Sequence, residues 1–338
     1  MYIYYKKNNN IIKPFKFKLI NIMLVANAPH NNFKFKPQQI LTQQNTSIHL
    51  ISKTIYNPTS FSSFTPYTIK SNNNTFIFQN KSNPNNKNSQ IPFEYINEIW
   101  QSLIEKETFN NYNYNSILSK QTDINAKMRT ILVDWLISVH QQLRLKQNTL
   151  FLTINIIDRY ISLKEILRTK FQLLGVTAMF IACKYEEIAC PHISFFVEFT
   201  AKTFTKTEIL EMENSVLSIL KFELNYPSSV NFYEILALIY EFNNEEYKLG
   251  CFLLEVFLLD IKCNKYLQSE IALAVCFILL KLKGGNIVFE NSNNSNENNG
   301  YLWGENIDKI KECAKEIYYY LENRDKITNR SVFDKYFI

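Results

Sequence analysis

The stretch from Leu173 to Cys183 contains no charged residue, and it constrains the fold more than any other part of the chain. It is too short to cross a bilayer, which takes about 20 apolar residues. A helix that is apolar on all sides is normally buried, so we predict that this segment is the central helix of a bundle. Lys184, Glu186 and Glu187 mark its return to polar surroundings.

Amphipathic helices are predicted on both sides of this segment. From Ala126 to Arg144 the apolar residues recur at helical spacing, which places them on one face. Asn125 stands where an N-cap is expected, and Thr205 and Glu208 have the spacing of a capping box. The helices predicted in this part of the chain cover residues 93–107, 126–144, 148–163, 173–183, 192–200 and 205–220.

The same pattern returns after Pro227. A second uncharged run extends from Ile271 to Leu280, and amphipathic segments again flank it. We therefore predict an all-α protein with two successive helical domains, each built around a buried central helix. The helices predicted in the second domain cover residues 230–239, 245–261, 266–283 and 305–322, with a polar loop at 291–300.

The first 90 residues have a different composition. They contain 11 Lys and 17 Asn but no Asp, Glu or Arg, so this leader has a net charge of +11. Because the whole chain has a net charge of +6, the remaining residues carry −5. Low periodicity and polar bias predict a disordered leader. Residues 19–28 resemble a signal peptide in part, but Asn21 interrupts the apolar run. We expect an intracellular protein, in the nucleus and cytoplasm.

The sequence shows no pattern typical of a metal or nucleotide site. The six cysteines contain no Cys-x-x-Cys pair, and the four histidines do not cluster with them. With only six Gly, the chain has no Gly-rich phosphate loop. We expect no cofactor, no metal and no catalytic residues.

Several short motifs resemble those of one known family. In their order and spacing they are similar to the cyclin box of mitotic A/B-type cyclins, and the likeness extends from about Pro92 to Ile338. The resemblance implies two tandem five-helix cyclin-box domains, here 91–226 (with the N-terminal helix) and 227–338, after the leader 1–90. The matching segments are Met128–Leu136 (MRTILVDWL), Ile157–Tyr160 (IDRY), Gln172–Ala182 (QLLGVTAMFIA), Lys184–Glu187 (KYEE), Phe204–Lys206 (FTK) and Met212–Glu213 (ME).

Five positions that typify the family match one by one. Arg129 and Asp158 lie on the first two helices of the box, where a buried bidentate pair would join them, and Leu132 is interpreted as core. By the resemblance, Lys184 and Glu213 form a surface pair that binds backbone groups of a kinase. The resemblance also implies apolar kinase contacts from Ile181, Tyr185, Leu217 and Leu224, and from Tyr95 and Ile99 on the N-terminal helix.

A second surface is implied for docking of substrates and inhibitors with Arg-x-Leu motifs. It comprises Met128, Ile131 and Trp135 together with Phe171 and Gln172. Core packing explains an apolar stripe on this helix equally well. Where A-type cyclins place acids for the arginine of the peptide, this chain has Ser138 and Ala201. We therefore expect an apolar groove with a weaker preference for arginine.

The resemblance implies a regulatory subunit, not an enzyme. It would bind and activate a cyclin-dependent protein kinase and help recruit its substrates in cell-cycle control at G2/M. The alternatives are a cyclin-fold transcription factor and a kinase-independent helical scaffold. A DNA-binding fold should carry a basic face, whereas residues 91–338 carry −5, so we expect neither a nucleic-acid nor a membrane partner.

Overall fold

Helices dominate the computed structural model of the protein, which describes residues 68–72, 75–79, 95–109, 117–283, 307–322 and 331–337. Within these residues the chain forms eleven α-helices, a short 3-10 helix and one two-stranded hairpin. No helix in the described ranges is long and apolar enough to span a membrane.

The first helical unit begins after an N-terminal helix. Asn125 accepts a hydrogen bond from the backbone N–H of Met128 at 3.0 Å, which starts the second helix as an N-cap. Thr205 and Glu208 form the predicted capping box. The helices are α1 (Ile96–Phe109), α2 (Ala126–Leu143), α3 (Gln147–Leu163), α4 (Arg168–Glu186), α5 (Ile193–Phe199) and α6 (Lys206–Ile219).

Helix α4 is the central helix of this unit. Every residue from Leu173 to Cys183 is buried, and α4 packs against α2, α3, α5 and α6. At Gly175 an added Cβ would lie 2.8 Å from Leu132 Cδ1, so a larger residue there would force the Leu132 side chain to move. The prediction of a buried central helix is therefore confirmed.

The second unit repeats this arrangement around α9. Eight of the ten residues of its uncharged run are buried, and α9 packs against α7, α8 and α10. Capping boxes at Ser228 and Asn243 start the first two helices. The helices are α7 (Ser229–Ile239), α8 (Asn244–Leu258), α9 (Gln268–Lys283), α10 (Ile307–Glu322) and α11 (Ser331–Phe337), with the 3-10 helix (Ile261–Lys265) between α8 and α9.

Several elements differ from the sequence prediction. Helix α4 is longer at both ends than the predicted 173–183 helix. Helix α8 ends at Leu258, because Asp260 accepts a hydrogen bond from the N–H of Lys262 and starts the 3-10 helix instead. Part of the leader forms an antiparallel hairpin, β1 (Thr68–Asn72) and β2 (Thr75–Gln79), where we predicted disorder. β2 is rich in β-branched and aromatic residues, which favour strands. The rest of the leader, the start of the predicted 93–107 helix and the 291–300 loop lie outside the described residues.

Helix α11 was not predicted, and it joins the two units. At its start, the backbone N–H of Ser331 donates to Asp134 on α2 at 3.0 Å. Further along, Lys335 and Tyr336 bind the carboxylate of Glu255 on α8 at 2.6 and 2.8 Å. Phe252, also on α8, packs against three aromatic rings of α11, those of Phe333, Tyr336 and Phe337.

The Lys335–Glu255 pair should contribute strongly to stability, because the Glu255 side chain is fully buried and that of Lys335 is only 18% exposed. Substituting Lys335→Met leaves a buried carboxylate without its cation. We expect the free energy of unfolding in urea to fall by about 3 kcal/mol.

The matched control is Lys283→Met. Its pair with Glu246 is 3.0 Å long, but the two side chains are 40% and 20% exposed. For such a surface pair we expect a loss below about 1 kcal/mol. Equal losses for the two variants would contradict this account of α11.

Candidate functional site

Arg129 and Asp158 form a buried, bidentate ion pair between α2 and α3. Arg129 Nε and Nη2 donate to the two carboxylate oxygens at 2.7 and 2.6 Å, and both side chains are almost fully buried. Burial alone would lower the pKa of Arg129. The charge and hydrogen bonds of Asp158 outweigh this effect and raise the pKa above its usual value, so the guanidinium stays charged.

The same pair reaches the second unit, which the sequence did not predict. Arg129 Nη1 donates to the carbonyl of Leu258 at 2.9 Å, and Asn264 donates to Asp158 at 3.0 Å. Beside it, the hydroxyl of Thr130 donates to the carbonyl of Leu259 at 3.0 Å. The pair therefore fixes α2 to α3 and also satisfies the carbonyl group of Leu258 at the end of α8.

Lys184 and Glu213 meet at the surface, across the contact between α4 and α6. The Lys184 side chain is 44% exposed, whereas that of Glu213 is 9% exposed. The ammonium also lies 4.4 Å from the centre of the Phe180 ring. A half-exposed cation and a nearly buried carboxylate thus present one donor and one acceptor to a partner.

Exposed apolar side chains occur on the same elements as this pair. Tyr185, next to Lys184, is 51% exposed, and Leu217 and Leu224 are half-buried. Ile181 is only 2% exposed, so it belongs to the core of the free chain. Tyr95 is 53% exposed on the N-terminal side of α1.

Helix α1, which also carries the half-buried Ile99, packs on the second unit. Trp100 contacts Phe232 edge-on, with ring centres 5.2 Å apart. The carboxylate of Glu107 accepts two hydrogen bonds from Ser269 at the start of α9. These contacts attach α1 to α7 and α9, and the candidates Tyr95 and Ile99 lie at the N-terminal end of this helix.

Two exposed apolar residues in the segments after α4 and α6 were missed by sequence reasoning. Ile188 follows α4 and is 95% exposed, and Phe222 follows α6 and is 70% exposed. Phe222 and Lys221 both have a left-handed backbone, with φ of 59° and 53°. Non-glycine residues seldom adopt this conformation. This conformation reverses the chain after α6. The sequence does not indicate whether a Phe side chain in such a loop is exposed or buried.

The predicted docking residues form one surface of α2 and α4. Ile131 is 53% exposed, and Met128, Trp135 and Gln172 are half-buried. The other member, Phe171, is 4% exposed, one turn before the Gly175 contact, and Leu132 is 7% exposed at that contact. Phe171 and Leu132 therefore belong to the core, and the exposed apolar area comes from the other α2 side chains.

Little negative charge lies along this surface. The only acid of α2 is Asp134, which binds the N–H of Ser331. Ser138 is uncharged and accepts a hydrogen bond from Gln142 at 3.3 Å. Ala201 and the following lysine occupy the left-handed turn after α5.

The described residues contain no group of His, Cys, Asp or Glu side chains that could hold a metal ion. All six cysteines are free, and five of them are buried. Burial raises the pKa of the Cys183, Cys251 and Cys263 thiols, which makes these groups poor nucleophiles.

Comparison with known proteins identifies the family. Residues 98–225 match the family model described as "Cyclin, N-terminal domain", and residues 227–337 match "Cyclin, C-terminal domain". The chain belongs to the cyclin family.

Curated relatives of this cyclin include mitotic B-type cyclins. It is 41% identical over 187 residues to the G2/mitotic-specific cyclin-B of Emericella nidulans, covering 55% of this chain and 38% of that protein. It is 34% identical over 244 residues to the G2/mitotic-specific cyclin-B2 of Bos taurus, covering 72% and 60%. The chain thus spans between about two fifths and three fifths of the lengths of these two relatives.

Structure comparison supports the same fold. The X-ray structure of a viral cyclin from herpesvirus saimiri superposes with a TM-score of 0.52 and 16% sequence identity, covering 71% of this chain and 96% of the viral one. At this identity the likeness concerns the fold alone.

Breaking the Arg129–Asp158 pair should destabilise this cyclin strongly, because each single substitution leaves the opposite charge buried. For Arg129→Met and for Asp158→Leu we expect losses of about 3–5 kcal/mol in the free energy of unfolding. The double variant Arg129→Met, Asp158→Leu should lose less than the sum of the single losses, since no charge remains.

Urea denaturation of the four proteins measures this coupling. Thr130→Val is the control, because it removes one neutral hydrogen bond beside the pair and should lose about 1 kcal/mol. Single-variant losses no larger than that of the control would show that the pair is not essential to the contact between the units.

Proposed function

We propose that this cyclin binds and activates a cyclin-dependent protein kinase and leaves catalysis to that partner. The observation that supports this most directly is the Lys184–Glu213 pair. The cation is half-exposed, and the segments that carry the pair also carry or lead into exposed apolar side chains, Tyr185, Ile188 and Phe222, which form the proposed apolar rim. Residues that dominate binding at a protein interface are typically surrounded by contacts that exclude water.

In the proposed complex, Lys184 donates to backbone carbonyls and Glu213 accepts from backbone N–H groups at the start of the movable helix of the kinase. The apolar rim excludes water from these contacts, which strengthens them. Binding moves that helix inward and completes the Lys–Glu ion pair of the kinase, on which positioning of the ATP phosphates depends.

The B-type relatives favour a role at the transition from G2 to mitosis, and hence activity in the nucleus and cytoplasm. A DNA-binding role is less well supported, because the chain outside the leader carries −5. A kinase-independent scaffold would use the same fold without the kinase, and the experiment below separates it from the proposal.

The decisive measurement is co-purification of the full chain with a purified mitotic cyclin-dependent kinase, followed by a histone phosphorylation assay. The wild-type chain should bind and activate the kinase. The variant Lys184→Ala, Glu213→Ala should lose about 100-fold in affinity, because truncating central interface residues has effects of this size.

The control is Lys262→Ala, Glu316→Ala. That pair is 2.7 Å long in the second unit, with side chains 37% and 22% exposed, and we expect no change in kinase binding. If the site variant binds like wild type while staying folded, the interface lies elsewhere. If the wild-type chain binds no cyclin-dependent kinase, the scaffold alternative replaces the proposal.

The α2–α4 surface is proposed to dock apolar peptide motifs of substrates and inhibitors. Ile131 and Trp135 supply apolar contact, and the neutral groups at Ser138 and Ala201 offer no charge to a peptide arginine. The motif recognised would therefore resemble Arg-x-Leu with its leucine retained and its arginine dispensable.

Peptide titration checks this preference. Replacing the arginine of an Arg-x-Leu peptide with alanine should change the Kd by less than about threefold, because no charge-assisted hydrogen bond is lost. Replacing the leucine, or substituting Trp135→Ala in the protein, should abolish binding. The variant Ser138→Glu, Ala201→Asp should gain a preference for the arginine peptide. A large loss with the alanine peptide on wild-type protein would overturn the proposal.

A further inference from the structure

The Phe180 side chain connects the surface lysine of the proposed kinase site to the core. Its ring is 4.4 Å from Lys184 Nζ on one side. On the other side it packs edge-on against Phe196 of α5, with ring centres 5.1 Å apart and an interplanar angle of 60°. Phe180 is 9% exposed and Phe196 is fully buried.

This arrangement follows from the sequence of α4. Phe180 precedes Lys184 by four residues, so the two side chains lie one turn apart on the same face. Side chains on a helix point toward its N-terminus, and the lysine stem therefore lies over the turn that holds the ring. Glu213 approaches the same ammonium from α6.

We propose that Phe180 is a positioning residue for the kinase contact. It holds the ammonium of Lys184 between its ring and the Glu213 carboxylate, in the position that a kinase would meet. This inference rests on the proposed function and adds a residue outside the five positions that typify the family.

The physical reason is preorganisation. A free lysine side chain has large rotational freedom, which binding must remove. The Glu213 carboxylate alone limits the distance of the ammonium but leaves several stem conformations open. The ring adds a second attractive contact from another direction, and this attraction strengthens when a partner removes water.

The distance distinguishes Phe180 from other aromatic residues near lysines. In the described part of the chain, five other lysines lie over rings at 5.4–5.9 Å, all farther than the 4.4 Å of Lys184. An ordinary apolar core position would be filled equally well by leucine. An aromatic ring this close to the ammonium adds a cation–π attraction that leucine cannot supply.

The test is a double-mutant cycle on the full chain, with affinity for a purified mitotic cyclin-dependent kinase as the readout. Phe180→Leu keeps an apolar side chain but removes the ring, and it should weaken binding about 3- to 10-fold. In the Lys184→Met background the same change should weaken binding less than about twofold, because no cation remains to be held. Phe180→Tyr, which keeps the ring, should bind like wild type.

The matched control is Phe204→Leu. Its ring lies 5.6 Å from Lys170, so it removes a similar contact away from the proposed kinase site and should leave kinase affinity unchanged. Equal losses from Phe180→Leu in both lysine backgrounds would show that Phe180 acts only through the fold, and would overturn the inference.

A measurement without the kinase separates failure of this inference from failure of the proposed function. In the free protein, the ring should shift the Hε resonances of Lys184 upfield, and Phe180→Leu should return them to ordinary lysine values. An unshifted wild-type resonance overturns the inference. A shifted resonance in a chain that binds no kinase keeps the contact but overturns both the proposed function and the positioning role.

Discussion

The buried pair of Arg129 and Asp158 is the interaction on which the two-unit structure depends. Two charges in a core are tolerated only when each finds complementary partners. Here the carboxylate occupies two donors of the guanidinium, and a third donor goes to the carbonyl of Leu258, at the end of α8. The second unit thus supplies a hydrogen bond that the first unit needs, and α7–α11 complete the polar core of α2–α6.

The proposed kinase site is built on the rigid part of this arrangement. Lys184 stands at the end of α4, whose middle is held on all sides, and Glu213 stands on α6, which packs directly against it. Neither side chain depends on a loop for its position. The apolar rim, by contrast, comes from loop residues such as Ile188 and Phe222. The geometry of the polar contact is therefore fixed, while the surrounding apolar surface can adapt to a partner.

Much of the fold could be predicted from the sequence, because burial leaves a direct record in it. An uncharged run such as Leu173–Cys183 can only be accommodated inside a bundle, and caps such as Asn125 locate helix starts within a residue. Exposure is harder to predict. Ile181 and Ile188 are the same residue type seven positions apart, yet one is 2% and the other 95% exposed, because Ile181 lies on the buried helix α4 and Ile188 lies in the segment that follows it. The short helix α11 was missed for a similar reason, since its stability comes from distant contacts to α8 and α2.

Helix α11 also determines when, during synthesis, the contacts that join the two units can form. Asp134 accepts a hydrogen bond from Ser331, which lies 197 residues later in the chain. Lys335, the partner of Glu255, lies 80 residues after it. When α2–α6 have emerged from the ribosome, Ser331 and Lys335 have therefore not yet been synthesised. Folding of the first unit and its attachment to the second are separated in time, and only a chain translated through residue 337 can form the finished arrangement.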